Sequence, residues 1–245
     1  MSGRVGSITT DIIADGLFFN MDPSNRASTI PSSNTTKTFN TIKTSVSGSV
    51  QCDFVKDNPL SYWQFDGVDD YIELTNSTDL NINASGGKVT LACWTQIGST
   101  VNGFAATVVG RKHVGATAPY KIRSYGSAAT STIAMQILDS THRGGPTLTP
   151  GSTFGLNTWV YLVFTYDYSN SSARFNNYVN GQFINSSTTG GGNITDNTNG
   201  FEMMRSAADN SFRSGLIGAV HIYNRALSAN EVLHNYNALK GRFGL

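Results

Sequence analysis

The feature that most restricts what this chain can become is a two-residue hydrophobic period that returns in short runs along its length. Alternation of this kind puts every second side chain on one face of an extended strand. The runs are Gly16–Met21, Ser61–Phe65, Tyr71–Leu74, Val89–Ile97, Ala106–Arg111, Tyr120–Ser124, Thr132–Leu138, Trp159–Tyr166, Arg174–Asn180, Gln182–Asn185, Phe201–Arg205 and Leu216–Tyr223. Gly, Asn, Asp or Pro punctuates the gaps. Many short strands separated by turn signals predict an all-β sandwich or barrel. A length of 245 residues suits one such unit. A folded chain of this size exposes roughly 10,600 Å² and buries about 70% of its extended surface, so its core needs neither disulfides nor metals.

Two turns and one helix sharpen the outline. Tyr178-Val-Asn-Gly-Gln182 carries the Asn-Gly pair of a type I′ hairpin, whose two central residues need positive φ. Phe65-Asp-Gly-Val-Asp-Asp-Tyr71 reads as a second hairpin. Ser228-Ala-Asn-Glu231 is a capping box, and Leu227 and Val232 occupy the positions of a hydrophobic staple. Val232, Tyr236 and Leu239 then form an apolar stripe, which predicts a helix over 229–240 stopped by Gly241. So short a helix does not hold alone in water, and its stripe should pack on the β body. Residues 22–50 and 185–200, rich in Ser, Thr and Asn, read as an irregular excursion and a polar loop. Residues 1–15 read as an N-terminal arm, and 16–245 as the sandwich domain with its helix.

Charge narrows the partners. Seventeen basic and 16 acidic residues leave a net charge of +1, with no excess to neutralise the phosphates that dominate nucleic-acid affinity. No apolar run approaches the roughly 20 residues of a membrane span. Met1-Ser-Gly-Arg-Val-Gly-Ser-Ile-Thr-Thr10 lacks the apolar core of a secretory signal, so synthesis in the cytoplasm is expected. Two cysteines make no framework. Cys93 shares the alternating face of Val89 and Leu91 and reads as a small buried hydrophobe, while a bridge to Cys52 would need an oxidising medium. The four histidines (113, 142, 221 and 234) show no zinc-ligand spacing.

The landmarks follow a recognisable order. Trp63-Gln-Phe-Asp-Gly-Val-Asp-Asp-Tyr-Ile72 resembles the opening hairpin of laminin-G-like jelly rolls of the concanavalin A-like lectin/glucanase superfamily. Val89-Thr-Leu-Ala-Cys-Trp94, Asn157-Thr-Trp-Val-Tyr-Leu-Val-Phe-Thr-Tyr-Asp167, the 178–181 turn and Gly218-Ala-Val-His-Ile-Tyr-Asn-Arg-Ala-Leu-Ser228 are similar to the segments that follow it there. The resemblance covers about residues 16–245 and implies a two-layer antiparallel β-sandwich with one short C-terminal α-helix. Asp15-Gly-Leu-Phe-Phe-Asn-Met-Asp-Pro-Ser-Asn25 and the stretch from Ile222 to Leu245 resemble the ends of laminin-G-like virion proteins of tailed bacteriophages.

Relatives on this fold cleave glycans, which takes two carboxylates roughly 5–10 Å apart. The superfamily's glucanases carry them as Glu-x-Asp-x-x-Glu. Here the only glutamates are Glu73, Glu202 and Glu231, and they form no such pattern. A nucleophile elbow and a nucleotide-binding glycine fingerprint are also missing, so no catalytic residue is assigned. Calcium takes six to eight oxygens, and some relatives supply an acid from the closing strand. That position resembles Gly218-Ala219 here, leaving Asp22, Asp69 and Asp70 as candidates, each with a plain turn-forming role as the alternative. No metal or other cofactor is assigned. Glycan contacts would come from exposed loops, with Phe104, His113 and Tyr120 in one region and Asp139, His142 and Arg143 in another, and none is singled out as a binding residue. The expectation is a non-enzymatic structural protein of a phage virion (a capsid decoration protein or a fibre subunit), partnered by other virion proteins and by itself. The competing class is an adhesin that binds host-surface glycan.

Overall fold

A computed structural model describes residues 12–24, 37–40, 45–56, 60–75, 80–82, 86–112, 118–126, 131–138, 142–188, 192–195 and 198–245. The strands, in chain order, are β1 (Leu17–Met21), β2 (Lys37–Asn40), β3 (Ser45–Gln51), β4 (Asp53–Val55), β5 (Tyr62–Asp66), β6 (Tyr71–Leu74), β7 (Lys88–Asn102), β8 (Ala105–Arg111) and β9 (Ala118–Tyr125). They continue as β10 (Thr132–Leu138), β11 (His142–Gly144), β12 (Val160–Asp167), β13 (Phe175–Val179), β14 (Gln182–Ser187), β15 (Phe201–Met203), β16 (Arg205–Ser206) and β17 (Ser211–Tyr223). Helix α1 (Ala229–Leu239) and a 3₁₀ turn (Lys240–Phe243) close the chain.

The strands form two sheets. The first runs β14-β13-β12-β7-β17-β5-β4, with β1 and β16 also paired to β17. The second runs β11-β10-β9-β8-β15-β6-β3-β2. The ladders within both sheets are antiparallel. The accessible surface of 10354 Å² is close to that of a compact monomer of this mass.

Alternation sorts the side chains as the sequence predicts. Val89, Leu91 and Cys93 of β7 and Leu162, Phe164 and Tyr166 of β12 enter the core between the sheets. Ala92, Trp94, Tyr161 and Val163 point the other way, into a second apolar cluster under α1. That explains why β7 and β12 read as nearly continuous apolar runs: both faces are covered. Ser228 and Glu231 close the predicted capping box, and Leu227 and Val232 are both buried. Trp94 stacks on Phe243 with ring centroids 4.1 Å apart and planes 3° off parallel. Among the described residues no helix is long and apolar enough to cross a membrane.

Four expectations need correction. The stretch 22–50 is not wholly irregular, since it contains β2 and most of β3. Its Ser-Val-Ser-Gly-Ser-Val period was masked by weak strand formers. Gly48 sits there because a Cβ would lie 2.4 Å from the Glu73 carbonyl oxygen. Residues 65–71 do not form a hairpin: β5 belongs to the first sheet and β6 to the second, so the segment arches between layers. The polar stretch 185–200 begins inside a strand, because β14 extends to Ser187. Finally, Gly241 does not stop the chain's helical path. The 3₁₀ turn carries Phe243 onto Trp94, and Gly244, at φ 74°, ends it. The Asn180-Gly181 turn has the expected positive φ at both positions, 51° and 80°. Most of the arm assigned to 1–15 lies outside the described residues, and Ile12 and Ile13 pack against the cluster under α1.

Candidate functional site

The outer face of the second sheet carries a polar row built by cross-strand register. Gln136 pairs with Lys121, Lys121 with Gly110, Gly110 with Glu202, Glu202 with Glu73 and Glu73 with Ser49. Their neighbours along each strand, such as Ile72, Leu74, Ile122, Met135, Phe201 and Met203, enter the core. The β16–β17 turn lies over the middle of this row. The Ala207 backbone N–H donates to Glu202 at 3.1 Å, Asp209 pairs with Arg123, and Arg205 pairs with Glu73 while its guanidinium lies 3.7 Å from the centre of the Tyr71 ring.

The two glutamates are driven apart in acidity. Burial alone would raise Glu73, but hydrogen bonds and charge from Lys112 and Arg205 outweigh it and hold the carboxyl below the ordinary carboxylate range. Burial dominates at Glu202 and raises it, against the Ala207 amide and the Thr107 hydroxyl, which donates at 2.8 Å. Divergent carboxyls are the signature of an acid–base pair. Here, however, Glu202 is fully buried with both oxygens engaged, and Glu73 is clamped between two cations. Sequence reasoning found no pattern in these glutamates because the pair arises from the β6–β15 register. Strand parity was the available signal, since each glutamate sits between two core residues.

A second polar region lies where the chain crosses between sheets. A cleft of about 450 Å³ is lined by Ser49, Gln51, Asp53, Asp70 and Tyr71, among others. Beside it the carboxylates of Asp66, Asp69 and Asp70 come within 4.8 Å of one another. They are turn-builders. Asp66 accepts from the Val68 amide at 2.7 Å, Asp70 accepts from the Asp66 amide at 2.9 Å, and Asp69 accepts from the Gln51 side chain at 3.0 Å. Burial, and then its acidic neighbours, raise Asp70 in spite of that amide.

The calcium position of the fold relatives does not fit a cation here. Asp22 is engaged by Arg242 and caps the Ser24 amide at 2.9 Å. A Cβ at Gly218 would lie 2.4 Å from the Phe243 ring, and the Gly218 carbonyl faces Arg242. A guanidinium therefore occupies the charge-compensating role.

The glycan candidates scatter. Phe104 is 73% exposed. Tyr120, expected on a loop, is instead buried in β9 with its hydroxyl donating to the Leu80 carbonyl at 2.6 Å, because its run is a core strand. His113 and Asp139 lie outside the described residues, and His142 and Arg143 form part of the short edge strand β11. Cys52 and Cys93 are not joined by a disulfide, and Cys93 is buried.

Two stacked antiparallel sheets, one faced by a helix and the other by a polar row under the β16–β17 turn, define a lectin-type jelly roll. A laminin-G family model described as concanavalin A-like lectin/glucanases superfamily matches residues 66–233. The chain belongs to that superfamily. Among curated proteins no sequence matches it. Solved structures share the fold at low identity. The binding domain of botulinum neurotoxin DC in complex with rat synaptotagmin II aligns with a TM-score of 0.63 and 14% identity over 91% of this chain and 52% of that one. The same toxin's binding domain in complex with SialylT aligns with a TM-score of 0.61 and 14% identity over 93% and 52%. Trypanosoma rangeli sialidase aligns with a TM-score of 0.58 and 14% identity over 93% of this chain and 33% of the sialidase. The chain thus spans about half of the toxin chains and a third of the sialidase.

Proposed function

We propose that this chain is a non-enzymatic structural and display protein of a bacteriophage particle, made in the host cytoplasm and assembled with other virion proteins and copies of itself. The observation that carries the reading is how the first and last described segments are fastened together. The Ile13 amide donates to the Asn235 side chain at 2.8 Å, and Arg225 bridges Asp15 and Glu231. Both segments lie on the outer face of the first sheet. Attachment through this side, with the N-terminal arm expected at residues 1–15 reaching a neighbour's sheet edge, leaves the polar face of the second sheet, with the β16–β17 turn over its middle, on the side away from the attachment. The resemblance of both ends to phage virion proteins supports the same assignment. Its non-catalytic character is supported by the glutamates: Glu73 is clamped, Glu202 is buried and Glu231 caps a helix. Deleting residues 1–15 and measuring the copies per particle tests the proposal. Loss of incorporation with retained folding is expected, and unchanged incorporation overturns the attachment route.

A second reading, a carbohydrate-binding adhesin, draws support from that polar face and from fold neighbours described in complex with SialylT or as sialidases. The isolated protein on a glycan array tests it, and an array with no retained glycan counts against it.

A further inference from the structure

An asparagine followed by glycine is prone to react with its own backbone, because the next residue has no Cβ to shield its nitrogen and swings freely. The sequence holds three such pairs, Asn102-Gly103, Asn180-Gly181 and Asn199-Gly200, and the fold treats them differently. Asn180 is held at both ends: its Oδ1 accepts from the Tyr161 amide at 2.9 Å and its own amide donates to the Tyr161 carbonyl at 2.9 Å. Gly181 is buried against Leu233 and Tyr236. Gly200 is also buried, and its carbonyl accepts from the Lys112 amide at 2.7 Å while the Asn199 side chain donates to the Lys112 carbonyl at 3.3 Å. Asn102 and Gly103, by contrast, are both exposed. Among the described residues the Asn102 side chain makes one hydrogen bond, from Nδ2 to the Val68 carbonyl at 3.2 Å. Glycine is required at 103, since at φ 91° a Cβ would lie 2.1 Å from the Ser211 hydroxyl oxygen. Asn102 ends β7 in the first sheet, and Gly103-Phe104 is the whole link to β8 in the second. Val68 lies on the 65–71 arch, which is the crossing from β5 to β6. The Asn102 side chain thus ties two crossings between the sheets to each other.

We propose that Asn102 is a site of spontaneous deamidation, and that the reaction cuts this tie. The Gly103 nitrogen attacks the side-chain carbonyl carbon of Asn102 and forms a new C–N bond. Gly103 gives up its amide proton, and the side-chain nitrogen leaves as ammonia, closing a cyclic imide. Water then opens the ring. Addition at the side-chain carbonyl gives aspartate. Addition at the main-chain carbonyl gives isoaspartate, whose backbone runs through the former side chain and is longer by one carbon. The balance is one water consumed and one ammonia released. Either product replaces the donor to Val68 with a carboxylate, which repels the carbonyl and adds negative charge to the arch that holds Asp66, Asp69 and Asp70. Isoaspartate also inserts length into a link that has only two residues. Fraying of the strand end supplies the freedom that ring closure needs, whereas the buried glycines of the other pairs require a larger opening.

The test is to hold the folded protein in mildly alkaline buffer and follow the amide-to-acid mass gain at each pair by digestion and mass spectrometry, with fragmentation to separate aspartate from isoaspartate. Asn102 should convert first, and Asn180 and Asn199 about tenfold more slowly or less. In denaturant the three should converge. Asn102→Gln, which keeps the amide but disfavours ring closure, should show no conversion at 102 and an unchanged melting temperature. Asn102→Asp should melt about 2–4 °C lower, the shift expected for one lost hydrogen bond in a domain of this size, and the aged wild type should move the same way. Equal conversion of the three pairs in the folded protein would overturn the site, as would no conversion at Asn102 where the denatured chain converts. Melting of Asn102→Asp and of the aged protein at the wild-type temperature would overturn the effect on the crossings.

Discussion

Arg242, in the last turn of the chain, forks onto Asp22 at the end of the first strand, with contacts of 2.7 and 3.2 Å between side chains that are both almost wholly buried. The pair staples the C-terminal 3₁₀ turn to β1. Removing one partner of a buried pair strands the other, which costs about 3 kcal/mol or more. Asp22→Ala should therefore lower the midpoint of thermal unfolding by roughly 6–12 °C for a domain of this size. A shift within about 1 °C would show the pair to be idle.

The same corner sets a pH dependence. Burial holds the His221 imidazole down to about 4 from an ordinary 6.5, with Asp22 raising it and Arg242 lowering it. The unfolded chain thus takes up this proton first. Stability from neutral His221 is complete above about pH 6.5, is lost as the pH falls towards 4, and amounts to about 3 kcal/mol. Urea unfolding of the wild type and His221→Gln should show a gap at neutral pH that closes on acidification. A gap that does not change with pH would rule out this linkage.

The stack under α1 makes a third prediction. Phe243→Ala removes a ring packed on Trp94 and leaves a void, which should cost about 3 kcal/mol. Tryptophan fluorescence and the denaturant midpoint should move together, because the ring is part of the helix-bearing cluster. Movement of fluorescence alone would mean that the stack senses the fold without supporting it.

Thiol chemistry provides a fourth. Burial pushes the Cys93 thiol up to about 12, whereas Cys52 is half-buried beside the cleft. Ellman's reagent should titrate one thiol in the native protein and both in denaturant. Two silent thiols that appear only after reduction would demonstrate a disulfide.

The sandwich was readable because alternation in Val89–Ile97 and Trp159–Tyr166 is driven by burial, which is local and strong. The capping box of Ser228 and Glu231 and the Asn180-Gly181 turn were readable for a similar reason, each being set by a few adjacent residues. β3 escaped notice because serine and glycine carry little strand signal, and the arch over 65–71 because sheet membership is decided by distant partners. The polar face was harder still. Glu73, Lys121, Gln136 and Glu202 lie far apart in sequence, and only the registers of β6, β9, β10 and β15 bring them into one row.

The pairing of Leu17 with Tyr223 joins positions about 200 residues apart, and β17 is the sole ladder partner of β1 among the described strands. On a ribosome adding ~5–20 residues per second, the first strand waits on the order of 10–40 s for its mate to emerge. Its apolar residues, Phe18, Phe19 and Met21, must be kept from straying throughout that interval. Co-translational yield should therefore depend more on how this one early segment is shielded than on the strength of the finished core.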